Sequence, residues 1–263
     1  MNGEGRLNWR YYRRNKMAAP TRFLSGFTQA ASFQPLGNLG IPDPFFYAEY
    51  VDDFLHYNTG DYTVTASGGS VAATAASGTG GRILFTTGAS AGNFAEIQLS
   101  AAGFGYVAGK KLAYLARLQV AAATTSSFIA GLTETNATPF TSVANGFYFY
   151  KAAGSTTIQF LIRSGSATIG SIANVGTIAA NTDIDLGYYI DRSGNFKLFV
   201  GANLEGVKRQ NTAILGPDYG VLASALTAAM PTAQLNPILA LSNGSTAAAT
   251  TMVSDFQFAA QER

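Results

Sequence analysis

From residue 62 onward, apolar and polar positions alternate in short bursts separated by turn residues. YTVTA (62–66), RILFTTG (82–88), FAEIQLS (94–100), KLAYLARLQV (111–120) and SSFIAGL (126–132) come first. GFYFYK (146–151), TIQFLIR (157–163), IDLGYYID (184–191), NFKLFVG (195–201), PILALS (237–242) and TMVSDFQFAA (251–260) follow. The runs are rich in Val, Ile, Phe, Tyr and Thr and bounded by Gly, Asn, Asp or Ser, the pattern of β-strands. About eleven such strands with frequent turns predict a β-sandwich or barrel. Two hairpins are legible. In FYFYKAAGSTTIQFLIR a Gly-containing loop joins two alternating runs. In YYIDRSGNFKLFV, Asp191 can bond its own backbone and Gly194 can take a positive φ. VLASALTAAM (221–230), between Gly220 and Pro231, predicts one short helix or an Ala-rich loop. SVAATAASGTGG (70–81) reads as a loose edge or surface loop.

The first 47 residues have another texture. Residues 23–46 carry Phe23, Phe27, Phe33, Leu36, Phe45 and Phe46 among other large apolar residues, interrupted by Pro35, Pro42, Pro44, Gly26, Gly37 and Gly40. Those prolines and glycines forbid a long helix and most strand pairing. The segment therefore predicts an extended arm laid along a surface. The expected organisation is an irregular arm over 1–47, basic and aromatic in 1–22 and apolar in 23–46, followed by a sandwich over 48–263.

Charge sharpens that division. Residues 1–22 hold six of the 17 Lys and Arg and one acid, net +5; the remaining 241 residues are net −3. Charged residues make up 12% of the chain, about half the usual share, so much of the surface is expected to be covered in an assembly. The head RLNWRYYRRNK mixes Arg6, Arg10, Arg13 and Arg14 with Trp9, Tyr11 and Tyr12, and Arg22 follows. These residue types suit an interface anchor. A disordered start-site extension, and contact with nucleic acid through phosphates and bases, are the competing readings. The apolar stretch behind the head favours the anchor, because nucleic acid binding would not need it. No apolar run reaches the ~18 residues of a membrane helix, and no apolar segment of a secretory signal follows the basic head.

Candidate chemistry is sparse. With no Cys, disulfides and Cys-based zinc sites are excluded. His56 is the sole histidine and reads as a loop residue, so nucleophile–His constellations have no other base to use. Asp183 and Asp185 share a strand face and could hold Ca²⁺ with added carbonyls, or simply form a solvated strand start. GFGYVAGKK (103–111) lacks the Ser or Thr of a phosphate loop. The Tyr residues of GFYFYK and YYID are expected in the core or in cross-strand pairs.

Residues 48–263 resemble the concanavalin A-like, laminin G-like sandwich. The resemblance rests on EYVDDF (49–54), ILFTTG (83–88), KLAYLARLQV leading to FIAGL (128–132), GFYFYK, YYIDRSGNFKLFVG and VSDFQF (253–258). Sandwich glycosidases of this type carry an E-x-D-x-x-E run, and the chain has none. With its arm text MAAPTRFLSGFTQAASFQPLGNLGIPDPFFYAEYVDDF (17–54), the whole chain also resembles tailed-bacteriophage virion proteins of the head decoration, or cement, type. That resemblance implies a non-enzymatic protein on the capsid surface, without cofactor or metal. Arg6, Trp9, Arg10, Tyr11, Tyr12, Arg13, Arg14, Arg22, Phe23, Phe27, Phe33, Leu36, Phe45 and Phe46 would then contact the major capsid protein or neighbouring copies in a homotrimer. The alternative is a carbohydrate-binding head-fibre or receptor-contacting module.

Overall fold

The computed structural model describes residues 46–55, 57–74, 81–101, 103–201 and 229–263. They form fourteen strands, all paired antiparallel, in two sheets. The strands are β1 (Tyr47–Asp52), β2 (Tyr62–Ser67), β3 (Ser70–Thr74), β4 (Arg82–Thr86), β5 (Phe94–Leu99), β6 (Leu112–Val120) and β7 (Ser127–Thr133). Then come β8 (Gly146–Lys151), β9 (Thr157–Ser164), β10 (Ala167–Thr177), β11 (Ile184–Ile190), β12 (Phe196–Gly201), β13 (Asn236–Ser242) and β14 (Thr251–Glu262). One sheet has the order β10-β9-β8-β7-β13-β5-β2 and is called sheet A here. Sheet B has the order β12-β11-β6-β14-β4-β3, with β1 also paired to β14. One helical turn, α1 (Pro139–Ser142), lies between β7 and β8.

Alternation puts one face of each strand between the sheets. Phe147 and Phe149 of β8, Phe160 of β9, Tyr188 of β11 and Phe196 of β12 meet there as tilted rings with centroids 5.2–6.4 Å apart. Tyr114 stacks on Tyr188 at 5.6 Å. Each such buried ring or aliphatic chain contributes roughly 1.5–3 kcal/mol before ordering costs. At the β1/β2 edge the sheets are tied by polar groups: Tyr50 and Tyr62 hydroxyls lie 2.6 Å apart, and Tyr62 donates to Asp52 Oδ2.

Every strand expected from the sequence is present to within two residues at either end. Both hairpins form, β8–β9 and β11–β12. In the second, Gly194 has φ +81° and Asp191 Oδ1 accepts from the backbone of Ser193 and Asn195. Strand β10 was not expected. It is an edge strand whose described side chains are mostly exposed, with Ile172 and Val175 buried, so its apolar alternation is thin. Of the stretch 70–81, residues 70–74 form the edge strand β3 and 75–80 lie outside the described residues. The expected helix or loop over 221–230 falls outside them too, apart from its last two residues, of which Met230 is buried in the core.

Candidate functional site

Three strands, β7, β11 and β13, are buried along their whole length. For β7 and β13 the reason is a second layer on the outward face of sheet A. The segment 134–145, between β7 and β8, folds back over that face as a strap. Phe140 and Val143 of the strap pack with Ile129, Tyr148, Ile238 and Ala240 in a cluster separate from the inter-sheet core, flanked by half-buried Tyr150 and Leu161. The strap is pinned at its base. Glu134 N donates to Asn145 O at 3.1 Å, and the Glu134 carboxylate takes Ala144 N and Asn145 Nδ2, each at 2.7 Å. Gln98 of β5 clamps it from below, donating to Glu134 O at 2.9 Å and accepting from Asn136 N at 2.9 Å. The β9–β10 turn holds it from the side, with Ser166 N donating to Ala144 O and Gly165 N to Asn145 Oδ1.

The strand register lays the outward residues of sheet A in rows. One row runs Thr65, Glu96, Ala240, Ile129, Tyr150, Gln159. Beside it lie Thr63, Gln98, Ile238, Gly131, Tyr148 and Leu161. The next row ends in Gly146 and Arg163. From Glu96 to Gln159 there are four interstrand steps, about 19 Å. The middle of the face is apolar and aromatic, and its ends carry amide, guanidinium and carboxyl groups.

Glu96 is the unusual member. Its side chain is fully buried, and among the described residues neither carboxyl oxygen has a hydrogen-bond partner. Burial alone pushes its pKa up to about 8, so the group is mostly protonated at neutral pH. Phe94, two residues earlier on the same strand face, has its ring 6.3 Å from that of Phe140. A carboxyl held protonated near neutrality is what a general acid needs. Glycoside hydrolysis takes a second carboxyl about 5–10 Å away. Among the described strand residues of this face, Glu96 is the single carboxylate.

Other ionisable groups are engaged elsewhere. Lys151 points into the end of the sandwich, where its ammonium donates to the carbonyls of Ser126 and Thr124, and burial lowers its pKa to about 8. Asp183 and Asp185 lie on the outward side of sheet B. Asp185 is bound to Arg117 at 2.7 and 3.1 Å, and Asp183 meets Arg82 at 3.4 Å. Asp255 links both arginines, at 3.6 Å from Arg82 and 3.7 Å from Arg117. The expectation of a solvated strand start is therefore corrected, since Asp185 is buried inside an ion-pair lattice. Tyr148 and Tyr188 are buried as expected, on opposite faces of the sandwich layers. His56 and all the predicted interface residues except Phe46 lie outside the described residues; Phe46 is 65% exposed. The sequence reasoning did not single out Glu96.

No family model matches the chain, and no curated protein does. Solved structures do match in fold. Peanut lectin, in complex with a nonapeptide, superposes with a TM-score of 0.54 at 8% identity, over 82% of this chain and 97% of the lectin. The Bacillus licheniformis β-glucanase gives 0.53 at 13% identity, over 81% of this chain and 97% of the enzyme. The endo-1,3-β-glucanase from Streptomyces sioyaensis gives 0.50 at 15% identity, over 84% and 98%. The chain thus has a concanavalin A-like, lectin-like β-sandwich, as expected. The expectation of a non-enzymatic protein is corrected: glucanases are among the structures that share this fold, so the architecture is one that houses hydrolases.

Proposed function

We propose that the protein recognises carbohydrate through the outward face of sheet A. The observation that carries this reading is the β8–β9 end of the face, where half-buried Tyr150 and Leu161 lie beside Gln159 and Arg163, while Glu96, Ala240 and Ile129 of the same row are buried. A pyranose ring has an apolar C–H face and a rim of hydroxyls. Tyr150 and Leu161 are half-buried and present the apolar component; Gln159 and Arg163 beside them supply donors and an acceptor. The fold-level likeness to a lectin and to two glucanases supports the choice of ligand class. We place this reading ahead of capsid decoration through the N-terminal arm, because the face offers placed side chains while the arm's anchoring residues, Phe46 apart, lie outside the described residues.

The test is a glycan array probed with the full chain, including β-1,3- and β-1,3-1,4-gluco-oligosaccharides, followed by calorimetry on any hit. Tyr150→Ala and Gln159→Ala are each expected to weaken binding at least tenfold, about 1.4 kcal/mol, with unchanged thermal unfolding. A protein that binds no glycan, or variants that bind as well as the parent, would overturn the proposal. Release of new reducing ends is measured in the same samples, with Glu96→Gln beside the parent chain, because a protonated buried carboxyl is suited to acid catalysis.

A further inference from the structure

A buried carboxyl with both oxygens unpartnered costs the fold free energy that a Leu at the same place would not. Groups of that kind collect at functional sites, where a ligand completes them. Above Glu96, the strap is built unlike an ordinary loop. Its two ends are fixed to each other, to Gln98 and to the β9–β10 turn, whereas its tip (137–143) meets the sheet through Phe140 and Val143. Phe140 packs against the cluster that includes Ala240, the register partner of Glu96, and lies beside Phe94. Fixed ends with an apolar tip allow the tip to lift without the base letting go.

We propose that the strap tip is a lid, and that the saccharide site is completed when the lid lifts and Glu96 takes a pair of sugar hydroxyls. The structure is then the closed form. This inference rests on the reading of the face as a carbohydrate site, and it adds a hidden subsite at the β5 end of the row. A protonated carboxyl both donates and accepts, so it matches two vicinal hydroxyls. Ionisation should open the same lid, because a carboxylate cannot stay dry without a partner. Nothing facing Glu96 from the described residues offsets that charge. Its strand neighbours are Thr65 and Ala240, the same face of β5 carries Phe94 and Gln98, and the strap's one charged residue, Glu134, is held by Ala144 and Asn145. Arg163 lies at the far end of the sheet, where it donates to Ser166 O.

Hydrogen exchange of the full chain, resolved to residues 137–143 and corrected for intrinsic rates, tests the lid without any ligand. Protection of the tip is expected to fall at least tenfold between pH 6 and pH 9 in the parent chain, and to stay level in Glu96→Gln. Phe140→Ala is expected to bind the glycan found on the array at least fivefold more tightly, because closure no longer competes with the sugar. A pH-independent tip, or the same fall in Glu96→Gln, would sink the lid. Weaker glycan binding by Phe140→Ala would make Phe140 a contact and not a cover, and would sink the hidden subsite. Absence of glycan binding in every variant would overturn the carbohydrate reading of the face and the subsite with it, while exchange still decides whether Glu96 controls the tip.

Discussion

Glu96 is held protonated by its surroundings, and that has a direct thermodynamic consequence. In the unfolded chain its carboxyl loses its proton near the ordinary value of 4.5; in the folded protein it does so at about 8. Between those two values the folded state binds more protons than the unfolded one, so stability falls as pH rises through the window and levels off above it. At about 1.4 kcal/mol per pH unit, the penalty reaches several kcal/mol by pH 8. Glu96→Gln should therefore match the parent chain in urea unfolding at pH 4 and become progressively more stable relative to it up to pH 8. A difference that does not change with pH would show that the carboxyl is not held neutral. FAEIQLS, read alone, assigns Glu96 to the correct face but not to the correct environment. Alternation sets which side a residue takes; whether that side is dry depends on residues distant in sequence, and the strap that meets Phe94 and Gln98 on either side of Glu96 comes more than 35 residues later. The same holds for Asp185, whose face was legible from its spacing to Asp183 but whose partner Arg117 lies 68 residues away.

Strands whose side chains meet a packed layer were the easiest to see, and β8 and β9 are the clearest cases. Their alternation is strong because Phe147, Phe149, Ile158 and Phe160 must reach the core. Strand β10 pairs with β9 along most of its length yet has two buried large side chains, so hydrogen bonding and not burial defines it. No pattern of apolar residues announces an element of that kind. Turn chemistry was legible wherever a backbone conformation demands a residue type. The β11–β12 turn needs a positive φ at Gly194, which an L side chain adopts at a cost of roughly 1–2 kcal/mol. Gly194→Ala should lower the unfolding free energy by about that amount, and Gly194→Asn by less, since Asn tolerates this region. Equal stability of all three chains in urea titrations would mean that the turn relaxes into another conformation. The strap, by contrast, was not legible as a covering layer, because TNATPFTSVAN (135–145) reads as an ordinary polar loop with one aromatic residue.

For the molecule as a whole, the two sheets already supply one main core built from residues between Phe54 and Ala259, with Phe54 and Tyr62 among its first members and Ile178 and Phe196 among its later ones. The chain enters that body at Phe46, whose carbonyl accepts Arg263 N at 2.7 Å, while Arg263 Nε reaches Tyr47 O at 3.1 Å. β1 and β14 are thus laced together where residues 1–45 join the described body. A chain starting at Phe46 keeps these contacts and is expected to unfold cooperatively, at a midpoint within a few degrees of the full chain. Solution mass by light scattering, taken for both chains, separates what the arm does from what the sandwich does. An oligomer of the full chain that falls to a monomer on truncation would assign assembly to residues 1–45. Equal masses would show that residues 1–45 do not set the oligomeric state and that the sandwich does.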